Sequence, residues 1–405
     1  MSTSINVASK EKNNPSFYEF VIIVSLMMAL TALSIDAMLP ALAQIGADLQ
    51  VQAANDRQLI ISVIFLGLAI GQLFFGPLSD SVGRKSAIYG GLLLFMVGSL
   101  LSMVAVNYPM MLAGRFLQGL GVSSPRAVGL ALVRDQFVGR EMARVMSFVM
   151  TVFILIPMLA PSMGQAILRF SGWRAIFGSF LLLSAIVLVW FARRQPETLP
   201  LEKRVPFTAS KVLKATQDVI KNRLSFGYTV TAGFISGAFI GYLNSAQQIF
   251  QEQYELGTLF PLYFSVIALS MGLASLLNSR LVMSLGMRLL VRGALLSIVL
   301  LSAVALGGMF FFIEQVPLWL FMTYLMLTLF CVGVLFGNLN SLAMEPLGEI
   351  AGVGAAIVGS LSTLISALLG TWIGQSYNGT LFPLILGLGV LAGLSIFVVR
   401  WAEGA

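Results

Sequence analysis

The residues with the clearest chemical potential are three charges inside stretches long enough to cross a membrane. Asp36 stands in "LTALSIDAMLPAL" (30–42), near the end of an apolar run that begins at Phe20. Arg115 and Arg126 lie in a later apolar stretch, eleven residues apart, so a helix places them on nearly the same face. Because an unpaired charge inside a bilayer costs roughly 3 kcal/mol or more, these residues are the first candidates for a functional site.

An acid and an arginine at similar depth in a membrane are suited to proton transfer. Desolvation raises the affinity of a carboxyl group for a proton and a neighbouring cation lowers it, so helix movement can load and release the proton. We expect Asp36 near the outer end of the first span and Arg115 about two turns inside the outer end of the fourth. The pair is interpreted as a proton-coupling site, and a fixed pair that only joins the two spans is the structural alternative.

The elements that must position these charges are membrane helices. The chain has 405 residues, of which 58% are hydrophobic and 10% are charged, and several apolar runs exceed the roughly 20 residues that cross a bilayer core. We predict an all-α polytopic membrane protein with twelve transmembrane helices, six within 19–192 and six within 224–400. The N-terminus is polar and leads into a full-length span, which is not typical of a secretory signal peptide.

The other ionisable residues exclude several kinds of site. Histidine is absent, which excludes histidine-based metal sites, triads and proton relays, and Cys331 is the only cysteine, so no intrachain disulfide forms. The net charge of +7 comes from basic residues that lie mostly between spans. Those loops predict that both termini are cytoplasmic, because the outer loops would carry only Arg57, Arg169 and Arg174.

The two halves of the chain resemble one another when the sequence is shifted by 203 residues. In that register Gly83 matches Gly286 and Lys85 matches Arg288. We therefore predict two pseudo-symmetric six-helix bundles, 1–192 and 224–405, joined by a cytoplasmic linker, 193–223, which forms either a short surface helix or a flexible segment. Transporters built from such repeats bind substrate between the halves, near the bilayer midplane.

Polar and aromatic residues inside the spans are further candidates for the wall of a substrate cavity. Such residues more often join helices by hydrogen bonds than contact a substrate, and both interpretations stay open here. The candidates are Arg126, Gln118, Gln165, Tyr228, Asn244, Tyr263, Asn338, Asn340, Ser366, Trp372 and Gln375.

The loop "GPLSDSVGRKS" (76–86) is the most specific string in the chain. Asp80 is expected to end one helix, Gly83 to allow a tight turn, and Arg84 and Lys85 to begin the next helix. One acid beside two bases can hold two helix ends together in one conformation, which predicts a conformational gate. The loop resembles the G-x-L-x-D-x-x-G-R-K signature of the major facilitator superfamily, and "RFLQGLG" (115–121) resembles that family's second motif.

Several longer strings resemble the Bcr/CflA drug-resistance branch of that superfamily. They are "DAMLPAL" (36–42), "VRDQFVGREMARVMS" (133–147), "PETLP" (196–200) and "MEPLGEIAGVGAA" (344–356). "PMLAPSMG" (157–164) is similar to the proline–glycine motif of drug antiporters in the superfamily, although Gln165 replaces the usual second glycine.

That resemblance implies a proton-driven bacterial exporter of drugs or metabolites, working by substrate:H+ antiport and alternating access. It places the branch's membrane acid on Asp36 and its span-four arginine on Arg115. It also implies the bacterial cytoplasmic (inner) membrane as the location, small molecules, protons and lipid as partners, and a monomer. We expect no nucleic-acid partner and no cofactor, because the proton gradient is the energy source.

Two other functions are weighed against export. The first is proton-coupled import or facilitated passage of a small nutrient or organic anion. The second is a membrane-embedded enzyme, which no cluster of histidines, cysteines or paired carboxylates inside the spans supports. One acid and two arginines inside the spans favour neutral, zwitterionic or anionic substrates over strongly cationic ones.

Overall fold

The computed structural model describes residues 15–309 and 316–404, and these form helices joined by turns and loops. We number the long helices in chain order. They are α1 (Phe17–Asp36), α2 (Leu59–Val82), α3 (Arg84–Met103), α4 (Tyr108–Gln136), α5 (Gly139–Ser171), α6 (Trp173–Arg194), α7 (Arg223–Gln247), α8 (Phe260–Leu285), α9 (Met287–Met309), α10 (Leu318–Met344), α11 (Ala351–Gln375) and α12 (Phe382–Glu403).

The long helices match the predicted membrane spans. Within the described ranges, eleven helical segments are long and apolar enough to cross a membrane, and α5, which contains Pro157 and Pro161, is the remaining long helix. The prediction of an all-α fold with twelve such helices is therefore confirmed. We call the side on which α1 begins the inner side of the molecule and the opposite side the outer side.

Helix α4 makes the most extensive contacts within the first set of six helices, and α7 within the second. Helix α4 contacts α1, α2 and α3, while α7 contacts α10, α11 and α12. Small residues allow the closest approaches. A Cβ atom on Gly119 of α4 would lie 2.1 Å from the backbone oxygen of Ile64 in α2, so only glycine fits there.

Matching turns join the second and third helices of each half. Gly83 follows α2 with φ 103° and ψ 154°, and Gly286 follows α8 with φ 76° and ψ 156°. These are the glycines that the 203-residue shift pairs, and both need a backbone conformation that favours glycine. The equivalence of the two turns supports the duplication predicted from the sequence.

The segment between the two sets of helices contains a helix of its own. This linker helix (Ala209–Lys221) buries Ala215 and Val219 and packs against α11 and α7, while Leu213 and Ile220 are exposed. Of the two forms considered for the linker, the structure contains the helix.

Candidate transport site

Asp36 occupies a break in the first membrane segment. Helix α1 ends at Asp36, a turn and a 3-10 helix (Leu39–Ala41) containing Pro40 follow, and a short helix (Leu42–Asp48) completes the segment. The side chain of Asp36 is 5% exposed and makes no hydrogen bond or ion pair with any described residue. Its carboxyl group is thus a buried acid whose charge has no partner in this part of the chain.

The proline–glycine motif of α5 fixes that break. Gly164 packs directly on the backbone of Ala37, the residue after Asp36, and a Cβ atom there would lie 1.6 Å from the oxygen of Ala37. The 3-10 helix that follows also packs against α5 and α7. The motif thus positions the backbone that carries Asp36.

Arg115 is completely buried and fully bonded. Its Nε atom donates to the backbone oxygen of Ile60 at 2.9 Å, its Nη2 atom to that of Ser34 at 2.7 Å, and its Nη1 atom to Oε1 of Gln118 at 2.6 Å. The guanidinium also lies 5.9 Å from the ring centre of Phe177. Arg115 therefore ties α4 to α1 and α2 through backbone carbonyls.

This geometry corrects one expectation. Arg115 reaches the helix turn of Asp36 but does not form an ion pair with its carboxylate. Carbonyl oxygens satisfy the cation instead, so a fixed Asp36–Arg115 pair is not what joins the first and fourth spans here.

Arg126 contrasts with Arg115 although both lie on one face of α4. The Arg126 side chain is exposed and bonds to no described residue. Three residues before it, Ser123 packs against Gly71 of α2, and three residues after it, Gly129 packs near Val24 and Met28 of α1. The side chain therefore leaves α4 between α1 and α2.

Tyr242 of α7 is a neighbour of Asp36 that the sequence analysis did not find. It is 1% exposed, stacks on Phe264 at a centroid distance of 5.9 Å, and interacts electrostatically with Asp36. Its hydroxyl has no hydrogen-bond partner among the described residues. A polar hydroxyl from the second half thus lies within electrostatic range of the acid of the first.

A set of polar side chains, which we call the outer cluster, joins the two halves on the outer side. Asn55 donates to the backbone oxygens of Gln375 and Tyr377 at 2.9 and 2.8 Å, and Gln375 donates back to the oxygen of Asn55 at 2.8 Å. Gln248 donates to the side-chain oxygen of Asn55 at 3.0 Å and accepts from Gln58.

An ion pair and a tyrosine extend the outer cluster. Arg57 and Glu252 lie 2.9 Å apart, and among the described residues this is the one ion pair between the two halves. Burial, reinforced by Glu252, raises the pKa of Tyr377 to about 12, so its hydroxyl keeps its proton and donates to Gln253 at 3.2 Å. The halves are therefore held together on the outer side.

The signature loop forms a separate charge cluster on the inner side. Arg84 lies 2.5 Å from Asp80 and 3.0 Å from Asp135 at the end of α4. Glu197, from the chain after α6, accepts from the backbone nitrogens of Arg84 and Lys85 at 2.9 and 3.1 Å and so caps α3. Among the described residues, these bonds all lie within the first half and its linker.

The second half carries a similar inner cluster. Arg288 lies 3.2 Å from Glu345 at the end of α10 and 3.5 Å from Glu403 at the end of α12, and Arg292 also pairs with Glu403. Tyr228 donates to Glu403 at 2.6 Å. Tyr228 thus belongs to this inner cluster, which corrects its assignment to a cavity wall.

The remaining cavity candidates fall into different environments. Trp372 is 67% exposed and lies on the side of α11 away from its contacts with α2 and α7. Gln118 holds Arg115 and donates to Ser99 at 2.8 Å, buried between α4 and α3.

Of the other candidates, Asn244 and Gln375 lie between the halves. Asn244 of α7 donates to Ser62 of α2 at 3.0 Å and to the backbone oxygen of Gly370, while Gln375 belongs to the outer cluster. Asn338 pairs with Asn278 of α8 at 2.8 Å. Ser366 is buried against α7, and the Oε1 atom of Gln165 is buried with no hydrogen-bond partner among the described residues. Tyr263 is half-buried and Asn340 is exposed.

Two pseudo-symmetric sets of six helices, with buried charges and polar contacts where they meet, define a multi-pass membrane transporter. The chain belongs to the Major Facilitator Superfamily, whose sequence profile matches residues 24–371.

Relatives of known name agree with that class. The chain is 31% identical over 356 residues to the uncharacterized MFS-type transporter YdgK of Bacillus subtilis, covering 87% of each chain. It is 28% identical over 390 residues to a bicyclomycin resistance protein homolog of Haemophilus influenzae, covering 94% of this chain and 95% of the relative. These relatives are transporters rather than enzymes, and the second confirms the resemblance to a drug-resistance branch.

A solved structure shares the fold. The crystal structure of a D-xylose-proton symporter matches with a TM-score of 0.74 and 14% identity, over 96% of this chain and 100% of the symporter. At this identity the likeness supports the twelve-helix architecture alone.

Proposed function

We propose that this protein exports small molecules in exchange for protons, with Asp36 as the group that carries the proton. The observation that carries the proposal is the position of Asp36, a buried acid without a counter-ion among the described residues. The relative named for bicyclomycin resistance supports drug or metabolite efflux as the physiological role.

The environment of Asp36 supports reversible protonation. An ionised carboxylate in this place has no counter-ion in the described part of the chain, and taking up a proton removes that charge. Tyr242 brings a hydroxyl from the second half towards the acid, so separation of the halves changes the polar surroundings of Asp36. A movement that exposes the acid to the outer side favours a different protonation state from the one favoured here.

Transport proceeds by alternating access between the two halves. The proposed moving units are 1–192 and 224–405, with 193–223 as the connecting linker. The outer cluster holds the outer side closed. The charge cluster of the signature loop, with Asp80, Gly83, Arg84 and Lys85, acts as the gate on the inner side. Arg115 supports coupling by fixing the helix turn that ends in Asp36.

The proposed oligomeric state, membrane and orientation are as follows. The protein works as a monomer in the bacterial cytoplasmic membrane with both termini in the cytoplasm, and the proton gradient supplies the energy. Basic inner loops support this orientation.

The test uses inverted membrane vesicles with an imposed acidic interior and a fluorescent pH indicator. Bicyclomycin, and any other growth inhibitor for which expression of the chain is first found to raise resistance, is added on the cytoplasmic face. Wild-type vesicles are expected to lose the pH gradient on addition of the compound, and Asp36→Asn vesicles are not. Asp218→Asn, on the exposed face of the linker helix, is the matched control and keeps wild-type behaviour.

Two results oppose the proposal. Loss of the gradient in Asp36→Asn vesicles at the wild-type rate removes Asp36 from coupling. A nutrient importer moves substrate and proton in the same direction, so compound added only outside inverted vesicles leaves the gradient intact in the wild type as well.

A further inference from the structure

Arg126 is a cation within a membrane-spanning helix whose charge nothing in the described protein balances. Its side chain is exposed, and within residues 15–309 and 316–404 no acid or hydrogen-bond acceptor pairs with it. Cations inside spans ordinarily pair with acids or backbone carbonyls, or face a water-filled path for a ligand. Arg115, on the same helix face, is paired in this way, because two backbone carbonyls and the side-chain oxygen of Gln118 accept its hydrogen bonds.

The position of Arg126 shows that it faces the space between the halves. Ser123, one turn earlier, contacts α2, and Gly129, one turn later, lies towards α1. Helix α2 in turn packs against α11, and the break after α1 packs against α7. A side chain that leaves α4 between α1 and α2 therefore points towards the second half of the protein.

The surroundings of Arg126 are apolar. Val24 and Met28 lie on the neighbouring α1, and Leu130, one turn further along α4, is 44% exposed on the same side. An apolar wall with one fixed cation suits a ligand with an apolar body and a single anionic group. A guanidinium binds a planar carboxylate through two parallel hydrogen bonds, which an amide cannot reproduce.

We propose that Arg126 binds the carboxylate of an amphiphilic organic acid, and that such acids are the preferred substrates. The inference rests on the proposed transport function, since it names the class of substrate that would bind in the space between the two halves. Arg126 sets selectivity for charge, while Asp36, about eight to twelve residues further along α1 than Val24 and Met28, handles the proton.

The experiment measures binding to the purified full chain in detergent by ligand-dependent thermal unfolding, without a proton gradient. The probes are 2-naphthoate, salicylate and 4-aminobenzoate, each compared with its primary amide. The wild type is expected to bind at least one acid about tenfold or more tightly than its amide, because a hydrogen-bonded charge pair is lost in the amide. Arg126→Gln removes that preference, and Arg126→Lys keeps part of it.

Arg169→Gln serves as the control, because Arg169 is an exposed arginine in the last turn of α5. It is expected to retain the preference for acids. Absence of acid binding in the wild type, equal binding of acids and amides, or a preference that survives in Arg126→Gln overturns the proposal. Asp36→Asn should still prefer acids, so failure of proton coupling and failure of this inference give different results.

Discussion

Arg115 donates to the backbone oxygen of Ser34 at 2.7 Å, two residues before Asp36. The arginine thus fixes the helix turn that carries the acid without neutralising the acid itself. This relationship separates two roles that a charge pair would combine, namely holding α1 in place and balancing the charge of Asp36. It leaves the carboxylate available for a proton.

Replacing Arg115 by lysine is expected to destabilise the protein and abolish coupled transport. A lysine ammonium cannot reach three acceptors on three helices with the geometry of a guanidinium. Loss of one charged hydrogen bond costs about 1.5–3 kcal/mol, so thermal unfolding of the purified Arg115→Lys variant should begin at clearly lower temperature than in the wild type. Arg169→Lys is the control, and equal stability of Arg115→Lys and wild type would contradict this role.

The contact between α5 and the break after Asp36 predicts that Gly164→Ala is disruptive. The added methyl group would meet the backbone oxygen of Ala37, whereas in Gly129→Ala it would meet Met28 and Val24 at an ordinary 3.8 Å. We expect Gly164→Ala to lose about 1–3 kcal/mol of stability and most coupling, and Gly129→Ala to retain both. Unfolding and vesicle assays compare the two variants, and equal behaviour would argue against this contact.

The paired turns distinguish backbone strain from crowding. Alanine at Gly286 would meet no described atom within 4 Å, so Gly286→Ala is expected to cost only about 1–3 kcal/mol, for a positive-φ extended backbone that is essentially restricted to glycine. Alanine at Gly83 adds a clash with the Glu197 carboxylate, 2.4 Å from the built Cβ atom. Gly83→Ala should therefore unfold at lower temperature than Gly286→Ala. The reverse order would mean that Glu197 does not cap α3 as described.

The outer cluster predicts that linking the halves on the outer side stops transport. In a Cys331→Ser background, cysteines introduced at Asn55 and Gln375 should react with a short reducible cross-linker, because these residues contact each other across the halves. Cross-linked protein is expected to stop transporting and to recover on reduction. Unchanged transport after complete cross-linking would show that the outer side need not open.

The sequence predicted the helices and the signature loop because both depend on local patterns. Apolar runs define the spans, and Gly83 with its charged neighbours defines a turn. The bonds of Arg115 were not predictable, since carbonyl acceptors on α1 and α2 depend on how those helices are rotated. Tyr228 was misplaced for the same reason, because a polar or aromatic residue in a span does not reveal which neighbour it faces.

The sequence does carry a signal for the outer cluster. Amide and charged side chains are concentrated in "NDRQ" (55–58), just before α2, and in "QQIFQEQ" (247–253), at the end of α7. The second string includes a π-helix (Gln248–Gln253), which places Gln248 and Glu252 on the side facing Asn55 and Arg57. Their contact still depends on how the halves dock, which no local pattern determines.

Proton release by the purified protein tests the central claim most directly. In weakly buffered detergent solution, addition of a transported compound to the wild type is expected to acidify the medium in proportion to the compound bound. Asp36→Asn, which still binds the compound, should release no protons, and Asp218→Asn should match the wild type. Proton release by Asp36→Asn equal to that of the wild type would contradict the assignment of the transported proton to Asp36.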